Sequence, residues 1–447
     1  MFGTSGIRGP VGRTVTADLA LRIGRAVGCD ARTVVIGQDA RLSGDVLADA
    51  VSAGVRECGA DVVRLGVVST PTVARSVGWL GADAGIGITA SHNPASDNGL
   101  KLWTTSGRAF DKSQTRDIVH RLNRNEVSLA EWDELGEERE WPDGPTRHVN
   151  HLVNSFDSFD SFDSFDDVAI AFDLGNGTGR VSVDALYELG ATVNTIDGQR
   201  DGRFPARKSE PNAETLTALR KVVPALDADV GLAHDGDADR LVAVDENGEY
   251  VTGDYLLALF ARDAVSPGQA VAVPIDTSLL VQDVVEDAGG CVTYTPVGDV
   301  HIAETVANSG YSFGGEPSGA WIWPDETLAP DGHYAALKLT ELVAREGPLS
   351  EQVESLGGDA YTTRRTSLSF ENKTQAMDRI AREIHAQYEN VDTIDGIRVD
   401  TDDGWFLVRA SGTEPLVRIT AEARDSSEAD RLFEEARSLV EGARVVA

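Results

Sequence analysis

Five short segments of this chain concentrate the residue types that do chemistry. The first is Gly87-Ile-Gly-Ile-Thr-Ala-Ser91-His92-Asn93-Pro94, continuing to Asn98-Gly-Leu-Lys101. An apolar stretch ends at Ser91, and the breaker Pro94 places this serine on an irregular, exposed turn. With His92 and Lys101 nearby, such a serine suits a nucleophile or a phosphorylated carrier. Taken alone, a serine before such a turn is more often a helix N-cap, and the G-x-S-x-G elbow of hydrolases is missing. The second is His234-Asp235-Gly-Asp237-Ala-Asp239-Arg240, between apolar VGLA and LVAVDENG. Three carboxylates at alternate positions converge where the chain turns, a hard-oxygen set suited to Mg²⁺ or Ca²⁺. A calcium EF-hand fits poorly. Glu246 does fall at its twelfth position, but Arg240 stands where the loop needs glycine, and the flanks read as strands.

The third segment is Gly314-Gly-Glu316-Pro-Ser318-Gly319. Its glycines permit close approach of a ligand to the backbone, and Glu316 and Ser318 could hydrogen-bond sugar hydroxyls. An ordinary turn explains it equally well. The fourth is Arg409-Ala-Ser411-Gly412-Thr413-Glu-Pro, with Arg418 close behind. Two arginines, two hydroxyls and a freed backbone make a phosphate cradle, or else a tight turn with surface arginines. The fifth is the start, Phe2-Gly-Thr-Ser-Gly-Ile-Arg8-Gly. It could fray, or fold over an anionic centre.

These loops need rigid elements behind them. A pattern recurs three times: an apolar strand ending in Asp, a loop, an amphipathic helix, a Gly stop and a second apolar strand. The copies begin at TVVIGQD (33–39), VAIAFD (168–173) and AVAVPID (270–276). Such repeats build mostly parallel sheets with ligand sites at the carboxyl ends of strands. The last 80 residues differ: a strand pair around a DDG turn, a further strand LVRITAEA and a helix from 426 suggest a small α+β unit with an antiparallel sheet. The expected division is 1–150, 151–255, 256–365 and 366–447. Four tandem Ser-Phe-Asp copies within 155–167 read as a low-complexity linker, although Phe at every third position could also line a helical extension.

The 447 residues carry 40 Lys+Arg against 73 Asp+Glu, a net charge of −33. This disfavours nucleic-acid partners and anionic membranes. Six of the basic residues are Lys and the rest Arg, a balance typical of proteins adapted to molar salt, where the Debye length falls to about 3 Å. No apolar run reaches a membrane span, and the start lacks the apolar core of a signal peptide, so a cytoplasmic setting is expected. Cys29, Cys58 and Cys291 are far apart in sequence and odd in number, which offers neither a disulfide framework nor a zinc site.

Taken in order, FGTSGIRG, TASHNP, DGDADR, GGEPSG and RASGTEP resemble the α-D-phosphohexomutase family over essentially the whole chain. The resemblance implies three similar mixed-sheet α/β/α domains and a C-terminal α+β domain like the TATA-binding-protein fold, with one loop per domain in a central cleft. It implies that Ser91 is a phosphoserine and that Asp235, Asp237 and Asp239, with an oxygen of that phosphate, hold one Mg²⁺. Arg8 and Arg240 would add positive charge, and His92 would shape the loop. Lys101 would be either a proton acceptor, which needs a depressed pKa, or a fixed charge on the phosphate. Glu316 and Ser318 would recognise the sugar. Arg409, Ser411, Gly412, Thr413 and Arg418 would bind the phosphate that is not being transferred.

The implied reaction moves phosphate between C6 and C1 through a sugar 1,6-bisphosphate, which also serves as activator. Ala320 stands where many bacterial relatives have His. The loop and the following WIWPDE look more like archaeal members acting on glucosamine phosphate, with glucose or mannose phosphates as the alternative. A monomer or homodimer is expected. Two other readings fit the motifs less well. A phosphatase with a carboxylate nucleophile needs D-x-D-x-T after a first strand, whereas DGDADR is mid-chain and lacks the Thr. A non-enzymatic binding protein would need a broken site loop, and none is broken.

Overall fold

The computed structural model describes residues 6–124, 126–157, 164–357, 361–370, 372–411 and 415–443. Three of its four sheets share one plan. In each, a central strand lies between two parallel partners, and an antiparallel strand extends the sheet beyond one of them. In the first, Thr33–Gln38 is flanked by Asp61–Val67 and Ala84–Ile88, and Asp97–Thr104 runs antiparallel beside the latter. In the second, Ala169–Asp173 lies between Thr192–Ile196 and Val230–His234, with Leu241–Asp245 antiparallel beyond. In the third, Ala270–Pro274 lies between Cys291–Thr295 and Tyr311–Glu316, with Ala320–Ile322 antiparallel beyond. The central strands read as continuous apolar runs because helices cover both sheet faces.

This plan explains where the chemistry-bearing loops fall. Ser91, the aspartate triplet and Pro317-Ser318-Gly319 occupy the same connection in successive copies, the turn from a parallel strand into its antiparallel neighbour. The fourth sheet is wholly antiparallel. Helices Lys373–Gln387 and Ser426–Gly442 cover one face of it, burying Ile380, Leu432 and Val440 against Phe406, Val408 and Ile419. Strand alternation turns the opposite set, Trp405, Leu407 and Arg409, toward the third unit, where Trp405 and Leu407 meet Ile275 and Leu279. Strand Thr362–Ser369 and helix Lys373–Gln387 were not foreseen.

Three expectations change. The boundaries at 150/151, 255/256 and 365/366 cut helix Gly144–Asp157, helix Gly253–Ala264 and strand Thr362–Ser369. The ends of the Ser-Phe-Asp tract are not a free linker. Its first copy closes helix Gly144–Asp157, and Phe156 and Phe165 are fully buried with ring centroids 6.1 Å apart. Aromatic burial overrides composition there; residues 158–163 lie outside those described. Cys29 and Cys58, distant in sequence, have Sγ atoms 3.4 Å apart. Among the described residues no helix is long and apolar enough to cross a membrane.

Where the first three units meet, the core is polar. His148 Nδ1 contacts Thr72 Oγ1 at 2.9 Å, Thr72 contacts Ser69 at 2.8 Å, and Ser69 contacts His333 Nε2 at 2.8 Å. Ser182 Oγ then joins His333 Nδ1 and His234 Nε2, each at 2.7 Å, and His234 Nδ1–H donates to the Arg240 carbonyl at 2.7 Å. Every member is buried. Burial keeps the His234 and His333 pKa values well below the usual imidazole range, that of His234 at about 4.

Candidate active site

Ser91 sits at φ 49°, in the left-handed region that a non-glycine residue adopts only under constraint. The constraint is Arg41. Its guanidinium donates to the carbonyls of Ser91 (2.8 Å), Asn93 (2.7 Å), Pro94 (2.6 Å) and Asp97 (2.9 Å), and to Asp39 Oδ2 at 3.0 Å. The serine is not exposed as the turn suggested. It is 1% accessible, because the metal-type loop of the second unit closes over it. Its Oγ donates to Asp235 Oδ2 at 2.6 Å and lies 3.3 Å from His92 Nδ1.

Asp235, Asp237 and Asp239 each offer one oxygen within 4.8 Å of the others, and all three are buried. Asp237 Oδ2 accepts from Thr70 (2.6 Å), Thr89 (3.0 Å) and Lys101 (3.3 Å), and Lys101 also donates to Asp239. The opposite oxygens, Asp237 Oδ1 and Asp239 Oδ1, are buried with no hydrogen-bond partner. Uncompensated carboxylate oxygens are costly in a protein interior. Burial and mutual repulsion raise the Asp235 and Asp239 pKa values. At Asp237 burial acts the same way, but Lys101, Thr70 and Arg8 outweigh it and hold the pKa low. Orphaned hard oxygens in a triad fit Mg²⁺, which takes few protein carboxylates and leaves places for phosphate oxygens or water.

The cationic groups converge on this point from two units. Arg8 lies on strand Ile7–Pro10, opposite Gly99 of the strand that carries Lys101, and its Nε is buried without a partner. Arg240 follows the triad, and its charge is supported by Asp235, Asp239, Glu316 and Asp299 against burial. Burial, Arg240 and Arg8 push the His92 pKa down to about 2, so this imidazole is neutral. Lys101 goes the other way from a general base. Burial alone would lower its pKa, but Asp237 and Asp239 prevail and raise it.

The third loop faces the fourth sheet across a cavity of about 280 Å³, lined by Glu316, Ser318, Asp276, Arg365, Arg409 and Arg418, among others. Ser318 Oγ donates to Glu316 Oε1 at 2.6 Å. Burial and Asp299 raise the Glu316 pKa, with Arg240 opposing. Arg409 reaches Asp395 at 2.9 Å and Asp276 at 4.0 Å. Ser411 is buried, its N–H donating to the Leu416 carbonyl at 2.9 Å. Gly412 and Thr413 lie outside the described residues. Ala320 pairs with Glu316 and forms a backbone bridge with Arg240, joining the second and third loops.

Several positioning residues were missed in the sequence. Asp39 with Arg41 braces the Ser91 loop. Asp173 with Arg207 braces the metal-type loop, since Arg207 bonds Asp173 at 2.8 Å and the His234 carbonyl at 2.7 Å. Asp276, the same position in the third copy, draws on Arg409 of the fourth unit. The signal was present: each copy's first strand runs into Asp, and only the arginine partners were invisible. Arg365 carried no motif. It joins Arg409 and Arg418 because cross-strand pairing sets Arg365 opposite Thr420 and Arg418 opposite Arg409.

Known proteins share this architecture. Family models described as phosphoglucomutase/phosphomannomutase α/β/α domains I, II and III match residues 1–128, 146–248 and 252–357, and the model of the C-terminal domain matches 367–439. A protein of Methanococcoides burtonii named "Probable phosphoglucosamine mutase" is 41% identical over 447 residues, covering 99% of each chain. One of the same name from Methanopyrus kandleri is 42% identical over 441 residues, covering 97% of this chain and 96% of its own. A crystal structure of a phosphoglucomutase/phosphomannomutase family protein from Burkholderia thailandensis superposes with a TM-score of 0.86 at 27% identity, covering 100% of this chain and 99% of that one. The repeated sheets, the serine and aspartate loops in contact and matches running nearly end to end lead to one conclusion: this chain is a phosphomutase belonging to the phosphoglucomutase/phosphomannomutase family.

Proposed function

We propose that this phosphomutase interconverts glucosamine 6-phosphate and glucosamine 1-phosphate through a phosphoserine at Ser91 and a glucosamine 1,6-bisphosphate intermediate. The observation that carries this reading is the placement of Ser91 Oγ, 2.6 Å from one aspartate of a buried triad with orphaned oxygens. The names of the relatives at about 40% identity over nearly their full length support the amino sugar. A phosphoserine carries about −1.5 to −2 charge, which an approaching hydroxyl cannot meet uncompensated. Asp235, Asp237 and Asp239 would hold one Mg²⁺, whose charge offsets the phosphoryl group and the departing serine oxygen.

The chain's own residues do the rest. Arg8 and Arg240 hold the transferring group, and Lys101, kept cationic by its two carboxylates, is a fixed charge rather than the base. Arg41 keeps the serine aimed. Glu316 and Ser318 take the sugar hydroxyls. Arg409, Ser411, Gly412, Thr413 and Arg418 bind the second phosphate. That site must accept either the 1- or the 6-phosphate while the opposite end reacts. The bisphosphate turns end for end between transfers, which requires the fourth unit to open. A sugar 1,6-bisphosphate also primes enzyme that has lost its phosphate.

The test compares kcat/KM for glucosamine 6-phosphate, glucose 1-phosphate and mannose 1-phosphate, in high KCl with Mg²⁺ and a trace of the matching bisphosphate. A clear preference for the amino sugar is expected. Preference for glucose or mannose phosphate would overturn the specificity, and Ala320, beside Glu316, would be the first residue to exchange.

A further inference from the structure

Helices Ala17–Gly28 and Gly44–Glu57 end in Cys29 and Cys58, each the C-cap of its helix. The two helices touch through glycine. A Cβ on Gly24 would lie 2.3 Å from the Val51 carbonyl oxygen, one on Gly28 2.8 Å from that of Val55, and one on Gly54 2.1 Å from that of Leu21. Only hydrogen fits at these positions, so the backbones run against each other along the whole contact and finish side by side. That is why two cysteines 29 residues apart bring their Sγ atoms to 3.4 Å.

The pair is not an ordinary core contact. Both thiols are half-buried, and their other polar neighbours are the carbonyls of Arg25 (3.4 Å) and Ser128 (3.7 Å). Nor is it a metal centre, since the cluster of three or more metal-type ligands among the described residues is the aspartate triad. Neither cysteine belongs to a site loop. Cys291 is exposed in the third unit and has no thiol neighbour among the described residues.

We propose that Cys29 and Cys58 form a thiol–disulfide exchange site, which low-molecular-weight disulfides convert to a reversible intramolecular disulfide clamping the two helices. Burial and the hydrogen bond that Cys58 donates to Cys29 push the Cys58 thiol up to about 12, which leaves Cys29 as the first attacking sulfur. The Cys29 thiolate attacks one sulfur of the small disulfide. A mixed disulfide forms, and the expelled thiolate takes up the proton Cys29 gave. Cys58 sulfur then attacks Cys29 sulfur and expels the second small thiol, which takes the Cys58 proton. Two protein thiols are oxidised, and one small disulfide is reduced to two thiols.

The test incubates the full chain in high KCl with excess oxidised glutathione, then alkylates, digests and weighs the peptides. The expected product is a linked Cys29–Cys58 peptide two hydrogens lighter than its reduced parts, with a glutathione adduct on Cys291. C58S stops at the mixed disulfide on Cys29. The linked protein melts about 5 °C higher at unchanged kcat, because the cross-link restricts the unfolded chain. Recovery of Cys29 and Cys58 as separate adducts or alkylated thiols overturns the site. So does a wild-type Cys29 adduct as persistent as that of C58S. Linkage without a rise in melting temperature overturns the clamp.

Discussion

At Ser91 a left-handed backbone, at φ 49°, costs a non-glycine residue about 1–2 kcal/mol, and the four carbonyls gathered by Arg41 offset it. The strain aims Oγ at the aspartates. Ser91→Ala is expected to abolish mutase turnover while bisphosphate binding, followed by calorimetry, stays within a few-fold of wild type. Retained turnover would remove the serine as carrier. Asp254 gives a second prediction. Burial, Glu422 and Asp276 raise its pKa to about 6, with Arg365 opposing. Its folded pKa exceeds the unfolded value of about 3.9, so below pH 4 it costs nothing and above pH 6 the buried charge costs fully. Asp254→Asn is therefore expected to melt a few degrees higher than wild type at pH 7. The two should converge at pH 4. A constant difference across that window would show that the carboxylate charge is not the cause.

The element that recurs is a central strand running into an aspartate that holds an arginine across the loop it serves. Asp39–Arg41 serves the Ser91 loop and Asp173–Arg207 the aspartate loop. Lysine keeps the charge but loses the planar fork. Arg41→Lys is expected to lower kcat about 100-fold through misplacement of the serine, with metal affinity intact. Arg207→Lys should instead weaken Mg²⁺ binding, read as the metal concentration for half-maximal activity. Equal metal dependence in the two variants would dissolve this division of labour. In the third copy the arginine comes from the fourth unit, and its contact is the loosest of the three, Asp276 to Arg409 at 4.0 Å. This pair links the third unit to the fourth.

Over the whole molecule, charge sets the working conditions. A net −33 on one chain repels itself unless salt screens it. The melting temperature is expected to rise steadily as KCl goes from about 0.1 M to molar concentrations. A flat profile would mean that the arginine ion pairs already balance the acidity. The first three units are also joined through the buried His148–Thr72–Ser69–His333–Ser182–His234 array, which ends on the Arg240 carbonyl. The fourth meets the third across an open cavity, a small apolar patch and buried hydrogen bonds, from Arg398 to the Ile275 carbonyl and from Ser278 and the Leu279 N–H to Glu422.

The sequence by itself determined the local chemistry and the element plan. Three strand–helix–strand copies, the aspartate triplet and the turn at Ser91 were legible because each depends on neighbours within a dozen residues. Tertiary structure decided what depends on contacts across the chain. The Lys101 pKa is raised rather than lowered because Asp237 and Asp239, from another unit, lie beside it. Ser91 became buried because that unit's loop covers it. Arg365 joined Arg409 and Arg418 on one cavity only through sheet register. Part of the Ser-Phe-Asp tract became core because Phe156 found Phe165 and Tyr334. Cys29 met Cys58 because three glycines let two helices touch, and no periodicity along the chain records an approach made between backbones.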